Sequence, residues 1–164
     1  MLRRCYADYR LRTMLYISIG SNLGDRESNL RTAVSRIAAR IGPVVAESDI
    51  VETEPWGFET GNRFLNQVIA IDTALSPEDV LDITQQIERE LGRSTKSSNG
   101  NYSDRPIDID LLLYDDLIIN TDRLTIPHPL MDRRRFVLEP LAQIAPSIAH
   151  PLLNEKILDL LNKL

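Results

Sequence analysis

The sequence predicts an α+β fold. It is a ferredoxin-like (split βαβ) sandwich: a mostly antiparallel sheet with helices packed on it, plus extra strands and helices at the C-terminal end. Three observations lead there. Apolar spacing alternates between strand and helix periods in the order β-α-β-β-α-β, the signature of a split βαβ unit with its helices on one face. Short clusters of Gly, Pro, Ser and Asn punctuate the elements. The 164 residues show no repeat, no low-complexity tract and no dividing linker, so they fit one domain.

Residues 15–20 (LYISIG) form the first β-rich run, ended by the turn cluster Ser21-Asn22-Leu23-Gly24. A helix follows, with Asp25 as N-cap and Leu30, Ala33, Val34, Ile37, Ala38 and Ile41 as its apolar face, stopped by Gly42-Pro43. Residues 44–53 read as one strand, 54–62 as a loop, and 64–73 as a second strand. Ser76-Pro77-Glu78-Asp79 is a strong helix start: a cap, a proline at the first helical position, then acids at the positive dipole end. Val80, Ile83, Ile87 and Leu91 form its stripe and Gly92 ends it. The polar segment 93–105 is a long loop, and such loops in compact domains are commonly functional. A strand at 107–114 follows, then two short paired strands at 117–119 and 123–126, and a helix at 136–144. A terminal helix at 155–164 carries Ile157, Leu158, Leu161 and Leu164 on its apolar face.

Composition narrows the functional classes. Hydrophobic residues make up 43% and charged residues 26%, as in an ordinary soluble domain able to fold without disulfides. No apolar run approaches the roughly 18 residues of a membrane span. The net charge is −5, which argues against nucleic acid as a partner. Residues 1–13 carry a net charge of +3 and the only cysteine, Cys5, which leaves the remainder at −8. This leader reads as a disordered arm or an upstream-start extension, with residues 14–164 as a single domain. The absence of Cys from that body excludes a Cys-ligated zinc domain, and having only His128 and His150 argues against a His-based zinc site.

The sharpest chemical feature is Asp108-Ile109-Asp110. On a strand, positions i and i+2 share a face, so the two carboxylates stand side by side, with Ile107, Ile109, Leu111 and Leu113 on the other side. Adjacent carboxylates repel unless a cation sits between them, and magnesium suits hard oxygen ligands. An edge strand that carries charge to block aggregation has the same pattern. Arg93 and Arg105 bracket the long loop, and Lys96 lies within it, which adds cations suited to phosphate. Phe64 and Asn66 share a strand face, as a stacking ring and an edge-reading amide for a flat heterocycle would. Each also has an ordinary structural reading. Of Arg133, Arg134 and Arg135, at least one must be solvated, since three consecutive side chains cannot face one way.

Together these residues resemble the 6-hydroxymethyl-7,8-dihydropterin pyrophosphokinase family. The resemblance rests on YISIGSNLG at 16–24, residues 53–57, Phe64-Leu65-Asn66, residues 85–88 with Gly92-Arg93, RPIDIDLL at 105–112, and RLTIPH at 123–128 followed by Arg134 and Phe136. It implies a ferredoxin-like fold and a cytoplasmic enzyme of folate biosynthesis, a monomer with a dimer as the alternative. The implied reaction moves pyrophosphate from ATP to the hydroxymethyl group of the dihydropterin and releases AMP. The resemblance further implies that Asp108 and Asp110 bind two Mg2+ ions, and that Arg93 and Arg105 close on the phosphates. Gln85, Glu88, Tyr102, Leu111, Arg123, Thr125, His128 and Arg134 would surround ATP, and Thr53, Trp56, Phe64, Asn66 and Phe136 the pterin. The chain departs from the family before Arg105. The family usually has a basic residue, an aromatic, Gly and Pro there, whereas this chain has Asn101-Tyr102-Ser103-Asp104. Glu54 and Arg135 also stand where less charged residues are expected.

Overall fold

The computed structural model describes residues 13–54, 61–92 and 104–164. Its main sheet contains β1 (Thr13–Ser21), β2 (Val44–Glu47), β3 (Val51–Thr53), β4 (Phe64–Thr73) and β5 (Asp108–Tyr114). The order is β2-β4-β1-β5, with β3 pairing the other end of β4, and every pairing is antiparallel. β1 and β2 therefore run in the same direction with β4 inserted between them, which is the split βαβ arrangement. A separate two-stranded ribbon pairs β6 (Ile119–Asn120) with β7 (Thr125–Ile126).

Helices α1 (Arg26–Arg40) and α2 (Pro77–Glu90) begin at the expected caps: Asp25 accepts from the Ser28 amide and Ser76 from the Asp79 amide. Their apolar faces pack with Leu15, Ile17, Ile19, Ile69, Ile71, Ile109 and Leu111 in one core layer. The expectation of helices on one face holds for this pair only. Helices α3 (Arg135–Ile144) and α4 (Ile157–Asn162) form a second layer on the opposite face, with Val68, Leu112, Leu113 and Met131. They cover only part of it, and the uncovered end holds the candidate site described below.

Several boundaries differ from the sequence reading for physical reasons. Thr13, placed with the leader, is the first residue of β1 and pairs with Thr73. The strand expected at 44–53 breaks into β2 and β3. At the break, Ser48 turns its hydroxyl to accept from the Val68 amide, and its carbonyl accepts from Gln67 Nε2. Leu113 does not share the face of Ile109 and Leu111. The β1–β5 register opposes Tyr16 to Leu113 and Ile17 to Leu111, so Leu112 is an extra residue, a β-bulge that resets the alternation. The terminal helix α4 stops at Asn162, so Leu164 lies beyond it and is 49% exposed; within α4, Leu158 is 44% exposed, while Leu160 is buried in the place given to Leu158. A 3-10 turn at Met131–Arg133, with no strong sequence signal, leads into α3.

Candidate active site

Strand period and register assemble the site. On the face opposite α1 and α2, Gly20 lies between Asn66 of β4 and Asp108 of β5, and Ser18 lies between Val68 and Asp110. A carboxylate row on β5 and an amide with an aromatic ring on β4 thus flank a floor with almost no side chains. A Cβ on Gly20 would sit 3.1 Å from Asn66 Oδ1 and 3.5 Å from the Phe64 ring, so glycine keeps this floor open. Neither Ser18 nor Gly20 was singled out as a site residue from the sequence. The signal was available, because both continue the period-2 face that ends beside Asp108 and Asp110.

A cleft opens over this floor. Its walls contain Thr53, Phe64, Asn66, Arg105, Asp108, Asp110, Arg134 and Phe136, eight of the residues proposed from sequence. Asn66 Nδ2 donates to Thr53 Oγ1 at 2.6 Å, which fixes the amide with Oδ1 on the Gly20 side. The Arg105 guanidinium lies 5.0 Å from the centre of the Phe64 ring, and its Nη2 is 3.5 Å from Asp108 Oδ2. Arg134 lies 5.6 Å from the centre of the Phe136 ring. Each aromatic wall therefore carries a buried cation on its π-face, a contact that strengthens as water is excluded. Of the arginine triplet, Arg133 and Arg135 are exposed and Arg134 is buried. Glu54 also lines the cleft and pairs with Arg63 at 3.1 Å.

The donor set fits a hard divalent cation. Asp108 and Asp110 present carboxylates two residues apart on one strand face, both partly exposed to the cleft. Among the described residues, no group of three or more Asp, Glu, His or Cys is arranged to hold a metal ion. A cation here would take its remaining oxygens from water or a phosphate ligand, the habit of Mg2+.

The other expected residues within the described segments do not line this cleft. Gln85 and Glu88 are on α2, the latter buried, and Thr125 is on β7. Arg123 reaches from the ribbon to Asp82 at 2.5 Å and Glu78 at 3.4 Å on α2; its hydrogen bond to Asp82 raises its pKa further. The His128 amide donates to the Leu112 carbonyl, and its Nδ1 accepts from the Leu130 amide. The Leu111 side chain is buried in the α1–α2 core layer, so only its backbone can face a ligand along β5. Trp56, Arg93 and Tyr102 lie outside the described residues.

Residues 16–146 match the model of the 7,8-dihydro-6-hydroxymethylpterin-pyrophosphokinase (HPPK) family. The chain belongs to this family. As a member it is a diphosphokinase. It is 50% identical over 139 residues to the 2-amino-4-hydroxy-6-hydroxymethyldihydropteridine pyrophosphokinase of Porphyromonas gingivalis, covering 84% of this chain and 94% of that one. It is 42% identical over 139 residues to the Bacillus subtilis enzyme of the same name, covering 84% and 81%. The fold is shared with the wild-type HPPK-DHPS of Plasmodium falciparum, with a TM-score of 0.75 at 17% identity. The match covers 93% of this chain and 44% of the Plasmodium chain, so this chain spans less than half of that solved protein.

Proposed function

We propose that the chain transfers the pyrophosphoryl group of ATP to the hydroxymethyl oxygen of 6-hydroxymethyl-7,8-dihydropterin, releasing AMP, as a cytoplasmic step of folate biosynthesis. Family membership supports this reading. The observation that carries it is the cleft itself, where a carboxylate pair, buried arginines and an aromatic–amide pair converge. In the reaction, the hydroxymethyl oxygen bonds to the β-phosphorus of ATP. The bond from that phosphorus to the oxygen bridging the α-phosphorus breaks, its electron pair leaves with AMP, and the hydroxyl proton is released.

The residues divide the work. Phe64 and Phe136 flank the flat ring, and Asn66, with its Nδ2 committed to Thr53, offers Oδ1 to a ring N–H. Arg105, with Arg93, holds phosphate oxygens, and Arg134 adds positive charge at the opposite wall. Gln85, Glu88, Tyr102, the Leu111 backbone, Arg123, Thr125 and His128 surround the nucleotide, and Trp56 completes the pterin pocket. Asp108 and Asp110 hold two Mg2+ ions, which supply charge neutralisation to the phosphates when bound. Positioning and charge neutralisation carry most of phosphoryl transfer, so no side-chain nucleophile is needed. The test is a nucleotide product assay with ATP, Mg2+ and the dihydropterin. AMP should form in step with pterin consumption, and ADP in its place would overturn the proposal.

A further inference from the structure

The acid beside Arg105 has a specific environment. Asp104 Oδ1 accepts from Asn22 Nδ2 at 2.7 Å, and Asp104 Oδ2 accepts from Asn62 Nδ2 at 2.9 Å. Asn22 is buried at 2% exposure, and its amide is fully engaged. Its other Nδ2 contact is the Asn62 carbonyl at 3.2 Å, and its Oδ1 accepts from the Arg105 amide at 2.7 Å. The Asn22 backbone N–H also donates to the Arg105 carbonyl at 3.1 Å. One carboxylate thus joins three separate pieces of chain: the turn after β1, the residues before β4, and the approach to β5. Arg105 is held from both its N–H and its C=O at this junction, and its side chain then reaches Phe64 and Asp108.

We propose that Asp104 is a positioning residue for Arg105. Its carboxylate orients the Asn22 amide, and Asn22 in turn fixes the Arg105 backbone, so the guanidinium stays over Phe64 and beside Asp108. Charge-assisted hydrogen bonds are the stronger kind, and truncating Asp104 leaves a buried Asn22 N–H without its acceptor. The acid next to the clamp therefore serves the cation instead of opposing it: both its carboxylate oxygens accept from side-chain amides at this junction. In kinetic terms this inference rests on the pyrophosphokinase reading, but the anchoring of Arg105 can be measured without turnover.

The experiment combines amide hydrogen exchange on the free protein with steady-state kinetics. In Asp104→Ala, the protection of the Arg105 amide should fall about tenfold, the scale of one lost charge-assisted hydrogen bond, while the amides of β1 and β4 keep theirs. AMP formation at saturating substrates should fall by a similar factor, and Asp104→Asn, which retains one acceptor, should lie between. In an Arg105→Ala background, adding Asp104→Ala should change kcat less than twofold, because the residue it positions is gone. Unchanged Arg105 protection in Asp104→Ala, or an equal loss of kcat in both backgrounds, would overturn the proposal. If the wild-type protein forms no AMP, the pyrophosphokinase reading fails, and the exchange measurement alone decides the role of Asp104.

Discussion

At the residue scale, what distinguishes the site is which side chains are absent from its floor. Gly20 and Ser18 separate Asn66 and Val68 on one strand from Asp108 and Asp110 on another, so the carboxylates and the Asn66 amide face each other across open space. Asp110 belongs to this face, while its neighbours Ile109 and Leu111 fill the core behind it. Removing the Asp110 carboxylate should therefore separate chemistry from stability. Asp110→Ala should lower the rate of AMP formation by about 10³-fold, the upper range for losing one electrostatic stabiliser. Its melting temperature should stay within about 2 °C of wild type, the usual range for a substitution outside the core. Turnover near the wild-type rate would refute the role of this carboxylate.

At the element scale, the strands and caps were legible and the breaks between them were not. β4 occupies the expected residues 64–73, and Asp25 and Ser76 cap the helices they were assigned. These features follow from local periodicity and capping chemistry, which neighbouring residues encode. The Leu112 bulge and the split at Ser48 depend on partners far along the chain, Tyr16 and Val68, so no local pattern announces them. In α4, the set Ile157, Leu158, Leu161 and the set Ile157, Leu160, Leu161 both suit a helical period. Packing against α3 and the sheet selects the second. In the site, Asp108, Asp110, Phe64 and Asn66 were legible from their i, i+2 spacing, whereas the Asn22–Asp104–Asn62 junction joins three distant segments. One sequence punctuation mark has a sharper structural meaning than a helix stop. A Cβ on Gly42 would stand 2.1 Å from the Asp72 carbonyl oxygen. That carbonyl cannot easily retreat, because the Asp72 amide donates to the Pro43 carbonyl and Thr73 Oγ1 donates to the Ile41 carbonyl. Gly42→Ala should cost about 2–3 kcal/mol in urea unfolding, as overpacking does. A stability equal to wild type would show that the β4 terminus is looser than it looks.

At the scale of the whole molecule, stability and charge are organised separately from the site. The C-terminal layer is closed by the buried His150, whose Nδ1 accepts from the Leu152 and Leu153 amides at 3.2 Å. Burial lowers its pKa from the ordinary 6.5, outweighing the opposing pull of Asp132. The folded protein therefore binds the proton less readily than the unfolded chain. The contribution of His150 is fully present above pH 6.5 and is lost as the pH falls through the lowered folded value. Melting temperature should decline between pH 7 and 5.5, with a shallower decline in His150→Gln; identical slopes in the two proteins would remove His150 from the explanation. The net charge of −5 argues against nucleic acid as a partner, yet it is compatible with a nucleotide. The relevant cations are local: Arg105 and Arg134 are buried in the wall of the cleft that also holds a carboxylate pair suited to magnesium. In the proposed reaction two phosphates move together. The direct measurement is label transfer from ATP labelled separately at the β- and γ-phosphorus, with Mg2+ and 6-hydroxymethyl-7,8-dihydropterin. Both labels should appear in the pterin product in equal amounts, with AMP released; γ-label alone would contradict pyrophosphoryl transfer.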